Sequence, residues 1–335
     1  MTSRHFSVHP RPVRRRTWLA ALGALALPAL PGLSAAQPGD RAVRYVLPVS
    51  AGSGVDIIVR ACAPAVGQAL GHPVIVDNQP GAGGITGALT LIKSPPDGFT
   101  LGMVSNNHVI LPSIYKSLPF DPVADITPIT VLGTTPLVLV VNPRKLPATN
   151  AAALIRLLKA SPGRYNYGSS GNGTILHLGA ALFVEQSGVR VQHVPYKGTG
   201  PLITDLIGGQ VDFAVIALPA IQAHLQNQSL VAIGVGSLQR TPALPELPTL
   251  AEQGLPDYEI NGWFAVVGPA RLAAAEVARI HAAWTTAMQT PEVREAMRKQ
   301  GNVIDPTTPA AAAAFLQSER DKYARIVQGA GITAT

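Results

Sequence analysis

YGSSGNGTILHLG occupies residues 167–179. It reads as the end of a strand, a glycine-rich turn and the first turns of a helix. Proteins use that layout to hold an anion on backbone N–H groups at a helix N-terminus. The turn has no lysine and lacks the third glycine of a dinucleotide fingerprint. The same grammar appears upstream: strand VRYVLPV (43–49), loop Ser50-Ala51-Gly52-Ser53-Gly54, and a helix from about Asp56 to Leu70. Two strand–glycine loop–helix units, each offering unpaired N–H groups at the positive end of a helix, define a way to grip one anion from two sides.

Outward from these units, short β-rich runs alternate with helical patterns, which predicts an α/β architecture with largely parallel sheets. VIVDN (74–78) and FTLGMVS (99–105) continue the first unit, and LVLVVNP (137–143) leads out of it. A helix near 150–160 precedes the second unit, which runs through a helix at 174–187, VQHVPYK (191–197), a helix at 200–208, DFAVIA (212–217) and LVAIGVGS (230–237). INGWFAVVGP (260–269) then returns to the first unit. Two closing helices are predicted, one capped by Thr290 with Pro291 and stopped by Gly301, the other started by Thr308 and Pro309 and stopped by Gly329. The expected domains are therefore a discontinuous one, 41–142 with 262–335, and an inserted one, 143–261. Two segments cross between them, which makes a hinge with a cleft for a small ligand.

Residues 1–36 stand outside this scheme. Arg4, Arg11, Arg14, Arg15 and Arg16 precede an apolar run from Trp18 to Leu30, and Ser34-Ala35-Ala36 offers a small-residue cleavage site. That is the pattern of a secretory signal peptide. Arg15-Arg16-Thr17-Trp18-Leu19 is close to a twin-arginine signal, so either the Sec or the twin-arginine route fits a periplasmic address. The whole chain carries 26 Lys+Arg against 19 Asp+Glu. Five of those arginines leave with the leader, so the mature chain has 21 against 19, a net +2. With 5% aromatics and no basic run, it has no surface for tracking nucleic acid. Cys62 is the single cysteine, inside the apolar helical pattern DIIVRACAPAVGQAL, and reads as a small buried hydrophobe.

Catalytic patterns fail on spacing. Gly168-Ser169-Ser170-Gly171-Asn172 almost spells a nucleophile elbow but ends in Asn172, and an exported hydrolase using Ser170 with one of His72, His108, His177, His193, His224 or His281 is the lesser reading. Ser169 and Ser170 serve better as loop hydroxyls. Gly52-Ser53-Gly54, Gly81-Ala82-Gly83-Gly84 and Gly171-Asn172-Gly173 each break a nucleotide-loop pattern, and no histidine or cysteine pair has metal-ligand spacing. No cofactor and no metal are expected. Serine and threonine hydroxyls at Ser50, Ser53, Ser169, Ser170 and Thr174 add uncharged donors, which suit a carboxylate better than a polyphosphate.

Six ordered blocks resemble one family: PVIVDNQPGAGGITGA (73–88), SPPDGFTLGMVS (94–105), SIYKSLPFDP (113–122), YGSSGNGTILHLGAALF (167–183), HVPYKGTGPLITDLIGGQVDFAV (193–215) and LPELPTLAEQGLPDYEINGWFAV (244–266). They are similar to the Bug proteins, periplasmic solute receptors associated with tripartite tricarboxylate transporters. The resemblance implies a two-lobed, type II-like periplasmic binding protein fold and a carboxylate held between the first glycine loops of the lobes. Carried over by position, it implies ligand contacts from Ser50, Gly52, Ser53, Gly54 and Asp56, with Ser105 and Asn106. From the second lobe it implies Ser169, Ser170, Asn172, Gly173 and Thr174, with Lys197 and Ala217. Asp56 is expected to cap its helix rather than touch an anion, since like charges repel. Lys197 is the cation placed to favour a carboxylate.

Two departures narrow the ligand. Ser53 stands where the family usually has a second glycine, and the stretch Ala217-Leu218-Pro219 is apolar where an acceptor for an ammonium group would sit. An apolar-tailed mono- or dicarboxylate is expected rather than an amino acid. The expected partners are membrane transporter subunits of the tripartite tricarboxylate type, with a sensor for a signalling partner as the alternative, and the protein is expected to be a monomer.

Overall fold

The computed structural model describes residues 41–329; the leader expected at 1–36 lies outside the described residues. Strand β1 (Val43–Leu47) is followed by α1 (Gly54–Leu70), β2 (Val74–Asn78), a 3-10 turn (Ala82–Gly84), α2 (Ile85–Ile92), β3 (Thr100–Ser105) and α3 (Asn106–Ile114). The long β4 (Ile126–Val141) leads to α4 (Ala151–Ala160), β5 (Asn166–Ser169), α5 (Ile175–Ser187), β6 (Gln192–Pro195), α6 (Thr199–Gly208), β7 (Phe213–Ala217), α7 (Leu218–Gln226) and β8 (Val231–Val235). The chain closes with β9 (Asn261–Pro269), α8 (Ala274–Gln289), α9 (Pro291–Lys299), β10 (Val303–Ile304) and α10 (Pro309–Gly329).

Strand β4 is shared by two sheets. Its first part, Ile126 to Pro136, pairs antiparallel with β9, and Gly133-Thr134 also meets β10. From Leu137 to Val141 it pairs instead with β7 and β8. The lobes follow from this change of partner. The first lobe carries the order β2-β1-β3-β9-β4, the second β4-β7-β5-β6 with β8 on β4's other side. The expectation of largely parallel sheets is corrected. The β1–β2, β1–β3, β5–β6 and β5–β7 pairs are parallel, but every pair made by β4 or β9 is antiparallel. The reason is the hinge: a strand that crosses between lobes passes through each sheet without a helical crossover, and a crossover is what parallel pairing requires.

The elements follow their residues. In α1, Val55, Ile58, Val59, Cys62 and Val66 are buried at helical spacing and pack on Val43, Tyr45 and Leu47 of β1. Trp284 of α8 closes that core, its indole N–H donating to the Tyr45 hydroxyl at 2.6 Å. Burial of about five large side chains at roughly 2 kcal/mol each gives this face about 10 kcal/mol before chain entropy is subtracted. In the second lobe Leu137–Val141 is buried throughout, with Phe183 of α5 and Phe213 of β7 against it. Leu316 and Tyr323 of α10 join the same core, so the last helix braces the hinge.

Three helices, one short strand and part of another exceed the sequence expectation: α3, α7, α8, β10 and the Ile126–Pro136 part of β4. Thr290 does occupy the N-cap of α9, but its hydroxyl donates backward to Ala287 O at 2.8 Å instead of capping. Thr308 caps α10 as expected, accepting from Ala311 N–H at 3.3 Å.

Candidate functional site

In a parallel αβ unit the strand C-termini and the following helix N-termini meet at one end. Here those ends face each other across the lobes and enclose a cavity of about 500 Å3. Ser50, Ser53, Gly54, Ser105 and Asn106 line it from the first lobe, and Ser170, Asn172, Thr174, Lys197 and Ala217 from the second. Four residues expected there are elsewhere. Gly52 is exposed beside the loop. Asp56 is buried, its carboxylate accepting the Gly52 N–H at 2.9 Å and the Arg60 guanidinium at 2.9 Å. With Ser53 Oγ accepting the Asp56 N–H at 3.3 Å, this is a capping arrangement at the start of α1.

Ser169 is also withdrawn. Its hydroxyl is buried, 2.6 Å from His193 Nε2 and donating to Gly171 O at 3.1 Å. Gly173 has φ +69 and lies against Ile114 of α3, with no wall on the cavity; its N–H donates to His177 Nδ1 at 3.0 Å. His177 and His193 stack at 3.9 Å, and the Tyr167 ring lies beside both, its centroid 4.9 Å from His193 and 6.2 Å from His177. Burial holds both imidazoles neutral, at about 4, and for His193 the neighbouring His177 adds to the shift. This neutral ring stack is the backing of the second glycine loop. The histidine expected beside Ser170 is not there: Ser170 donates to Thr174 Oγ1 at 3.1 Å, and the serine that does face a histidine, Ser169, is buried.

Asn106 reaches the cavity wall with its polar atoms already engaged. Its amide donates to Tyr323 OH at 2.7 Å and Asn261 O at 3.1 Å, and its oxygen accepts the Trp263 N–H at 3.0 Å. It fastens β9 to α3 and α10.

What the cavity can offer a ligand is a set of donors. The N–H groups of Gly54 and Val55 begin α1, and that of Leu176 lies in the first turn of α5; none has an acceptor among the described residues. The hydroxyls of Ser105, Tyr115 and Thr199 and the amide of Asn172 are free of protein partners among the described residues. Lys197 is the only charged side chain on the wall, without an ion pair among the described residues, and no acid lines the cavity. Pro48, Val49, Pro80, Leu137, Ile175 and Trp263 supply apolar wall. Tyr115, Thr199, Trp263 and the Gly81–Gly84 turn were absent from the sequence-based site. The turn carried a signal, a third glycine loop, following β2, but was read only against nucleotide patterns.

A hinged α/β protein with an enclosed, donor-lined cavity between its lobes is a solute-binding protein. Among the described residues no group of three His, Cys, Asp or Glu could hold a metal ion. The chain belongs to the tripartite tricarboxylate transporter family receptors, whose family model matches residues 58–332. BugT of Bordetella pertussis is 33% identical over 293 residues, covering 87% of this chain and 90% of that protein. Among solved structures, the periplasmic binding protein BugD is 27% identical with TM-score 0.84, covering 88% of this chain and 99% of that one. R. palustris Rpa4515, solved with adipate, is 29% identical with TM-score 0.84 and the same coverages of 88% and 99%. The family is one of receptors and BugD is named as a periplasmic binding protein, so the chain is a receptor and not an enzyme. The family is extracytoplasmic, and no helix among the described residues is long and apolar enough to cross a membrane.

Proposed function

We propose that this receptor captures a small carboxylate carrying no ammonium group, an apolar-tailed mono- or dicarboxylate, and presents it to membrane subunits of a tripartite tricarboxylate-type transporter. One observation carries the reading: the cavity wall combines free helix N-terminal N–H groups and hydroxyls with a single cation, Lys197, and no acid. A carboxylate finds donors there, whereas an ammonium would be buried without a counter-charge. The adipate bound by Rpa4515 supports a ligand with a hydrocarbon middle.

In this reading Ser53, Gly54, Ser105, Asn172, Thr174 and Lys197 face the ligand, while Asp56, Ser169 and Gly173 hold the loops that do. The lobes, 41–142 with 262–335 and 143–261, close by bending near Pro136–Leu137, where β4 changes partners. The receptor works as a monomer in the periplasm after loss of residues 1–36.

A thermal-shift panel of mono-, di- and tricarboxylates, aromatic acids and amino acids tests this. A ligand at 100 times its Kd adds about 2.7 kcal/mol of stability, which is readily seen. Stabilisation confined to one class of acids is expected. A tight amino-acid complex with no response to simple carboxylates would refute the reading.

A further inference from the structure

Three hydrogen bonds cross the cleft between protein groups alone. Ser50 Oγ, on the loop after β1, accepts the N–H of Thr199 at 2.9 Å and of Gly200 at 3.3 Å, the first turn of α6. Asn107 Oδ1, on α3, accepts the Ile175 N–H at 2.8 Å, the first turn of α5. Where the lobes meet there is no spare room: a Cβ on Gly54 would lie 2.8 Å from Ala217 Cβ, and one on Gly173 would lie 2.3 Å from Ile114.

Helix N-terminal N–H groups need acceptors, usually from the N-cap side chain of their own chain. The N-cap of α6 is Gly198, which has none to give. A Cβ there would fall 2.6 Å from Ser50 Oγ, so the glycine leaves the space that the serine oxygen fills. The N-cap of α5, Thr174, directs its hydroxyl to His177 N–H and leaves Ile175 N–H to Asn107. In both places the second lobe leaves an N–H uncapped and the first lobe supplies the oxygen.

We propose that Ser50 and Asn107 form a closure latch, two helix caps supplied across the cleft, that sets the closed-to-open ratio of the empty receptor. The proposal rests on the receptor reading above. When the cleft opens, water replaces both oxygens, so each latch residue contributes the modest net value of a hydrogen bond exchanged with water, about tenfold in the ratio. A ligand stabilises the same closed state, so its apparent Kd rises as the latch weakens, equally for every ligand. A residue that only touched ligand would leave the empty protein unchanged.

Spin labels on Gln68→Cys and Gln192→Cys, both exposed and one in each lobe, give interlobe distances, with buried Cys62 left unlabelled. In ligand-free protein a closed population is expected, reduced about tenfold relative to open by Ser50→Ala or by Asn107→Ala and further by both. Ser50→Thr and Asn107→Asp, which keep the acceptor, should retain it, and a single cooperative urea transition in every variant confirms folding. An empty receptor with no closed population, or alanine variants with an unchanged ratio, would overturn the latch. The receptor reading fails separately: if no acid in the thermal-shift panel binds while the alanine variants still shift the distances, the latch stands without it.

Discussion

Lowering the pH from 7.5 to 4.5 should destabilise this protein steeply, and three histidines set the slope. His108 is buried, its Nε2 lies 2.8 Å from Pro122 O, and its Nδ1 has no partner among the described residues. Burial lowers it from 6.5 to about 4, and His177 and His193 are lowered to about 4 by the same cause. The unfolded chain takes up these protons near pH 6.5 and the folded chain only near 4. Stability is therefore full above 6.5 and falls toward 4, by about 1.4 kcal/mol per pH unit per site. For His108 the whole window is worth about 3 kcal/mol. For the half-buried pair, solvent screening reduces it to about 1 kcal/mol each. The total of about 5 kcal/mol matches the lower range of a domain's entire stability. Carboxylates such as Asp121, held low by the N–H groups of Ala124 and Val123, titrate below this window. Urea unfolding followed by circular dichroism at stepped pH measures the slope. His108→Phe should lose about 1 kcal/mol at pH 7.5 with the Pro122 bond, and its slope should be shallower by about 1.4 kcal/mol per unit. A flat wild-type profile from 7.5 to 4.5, or an unchanged slope in His108→Phe, would refute the argument.

Lys197→Met should weaken carboxylate binding about three- to tenfold, as expected for an exposed cation, and remove most of its salt dependence. Calorimetry at two ionic strengths reads both; a change under twofold would take Lys197 out of the site. Cys62, whose thiol burial pushes up to about 12, should resist a disulfide reagent in the native protein and react fully in urea. Rapid native labelling would contradict the packing of α1.

The two glycine loops were legible because their chemistry is local: glycine for the turn, Ser53 and Thr174 as caps, an apolar helix after each. The missed elements lack such markers. The N-cap of α8 is Ala273, which cannot cap with its side chain, and α7 starts at Leu218-Pro219, which looks like a break. The first part of β4 contains Pro128, Gly133 and Pro136, and it stays in the sheet by shifting register at two irregularities. In the site, the residue types were legible but their directions were not. Ser169 and Asp56 bear suitable oxygens, and whether these face a ligand or the protein depends on His193, Arg60 and the Gly52 N–H, partners set by packing. Asn107 and Thr199 became visible only when the lobes were brought together.

The position of β9 bears on how the chain is made. It lies between β3 and β4 in the first sheet, paired to both, yet it begins at Asn261, about 150 residues after β3 ends at Ser105. Laid down in order, β3 keeps an open edge while the entire second sheet is synthesised, and open edges recruit other strands. A companion that covers β3 during transit, or passage as an unstructured chain, removes that hazard. The arrival of one late strand then completes the first lobe and shuts its edge in a single step.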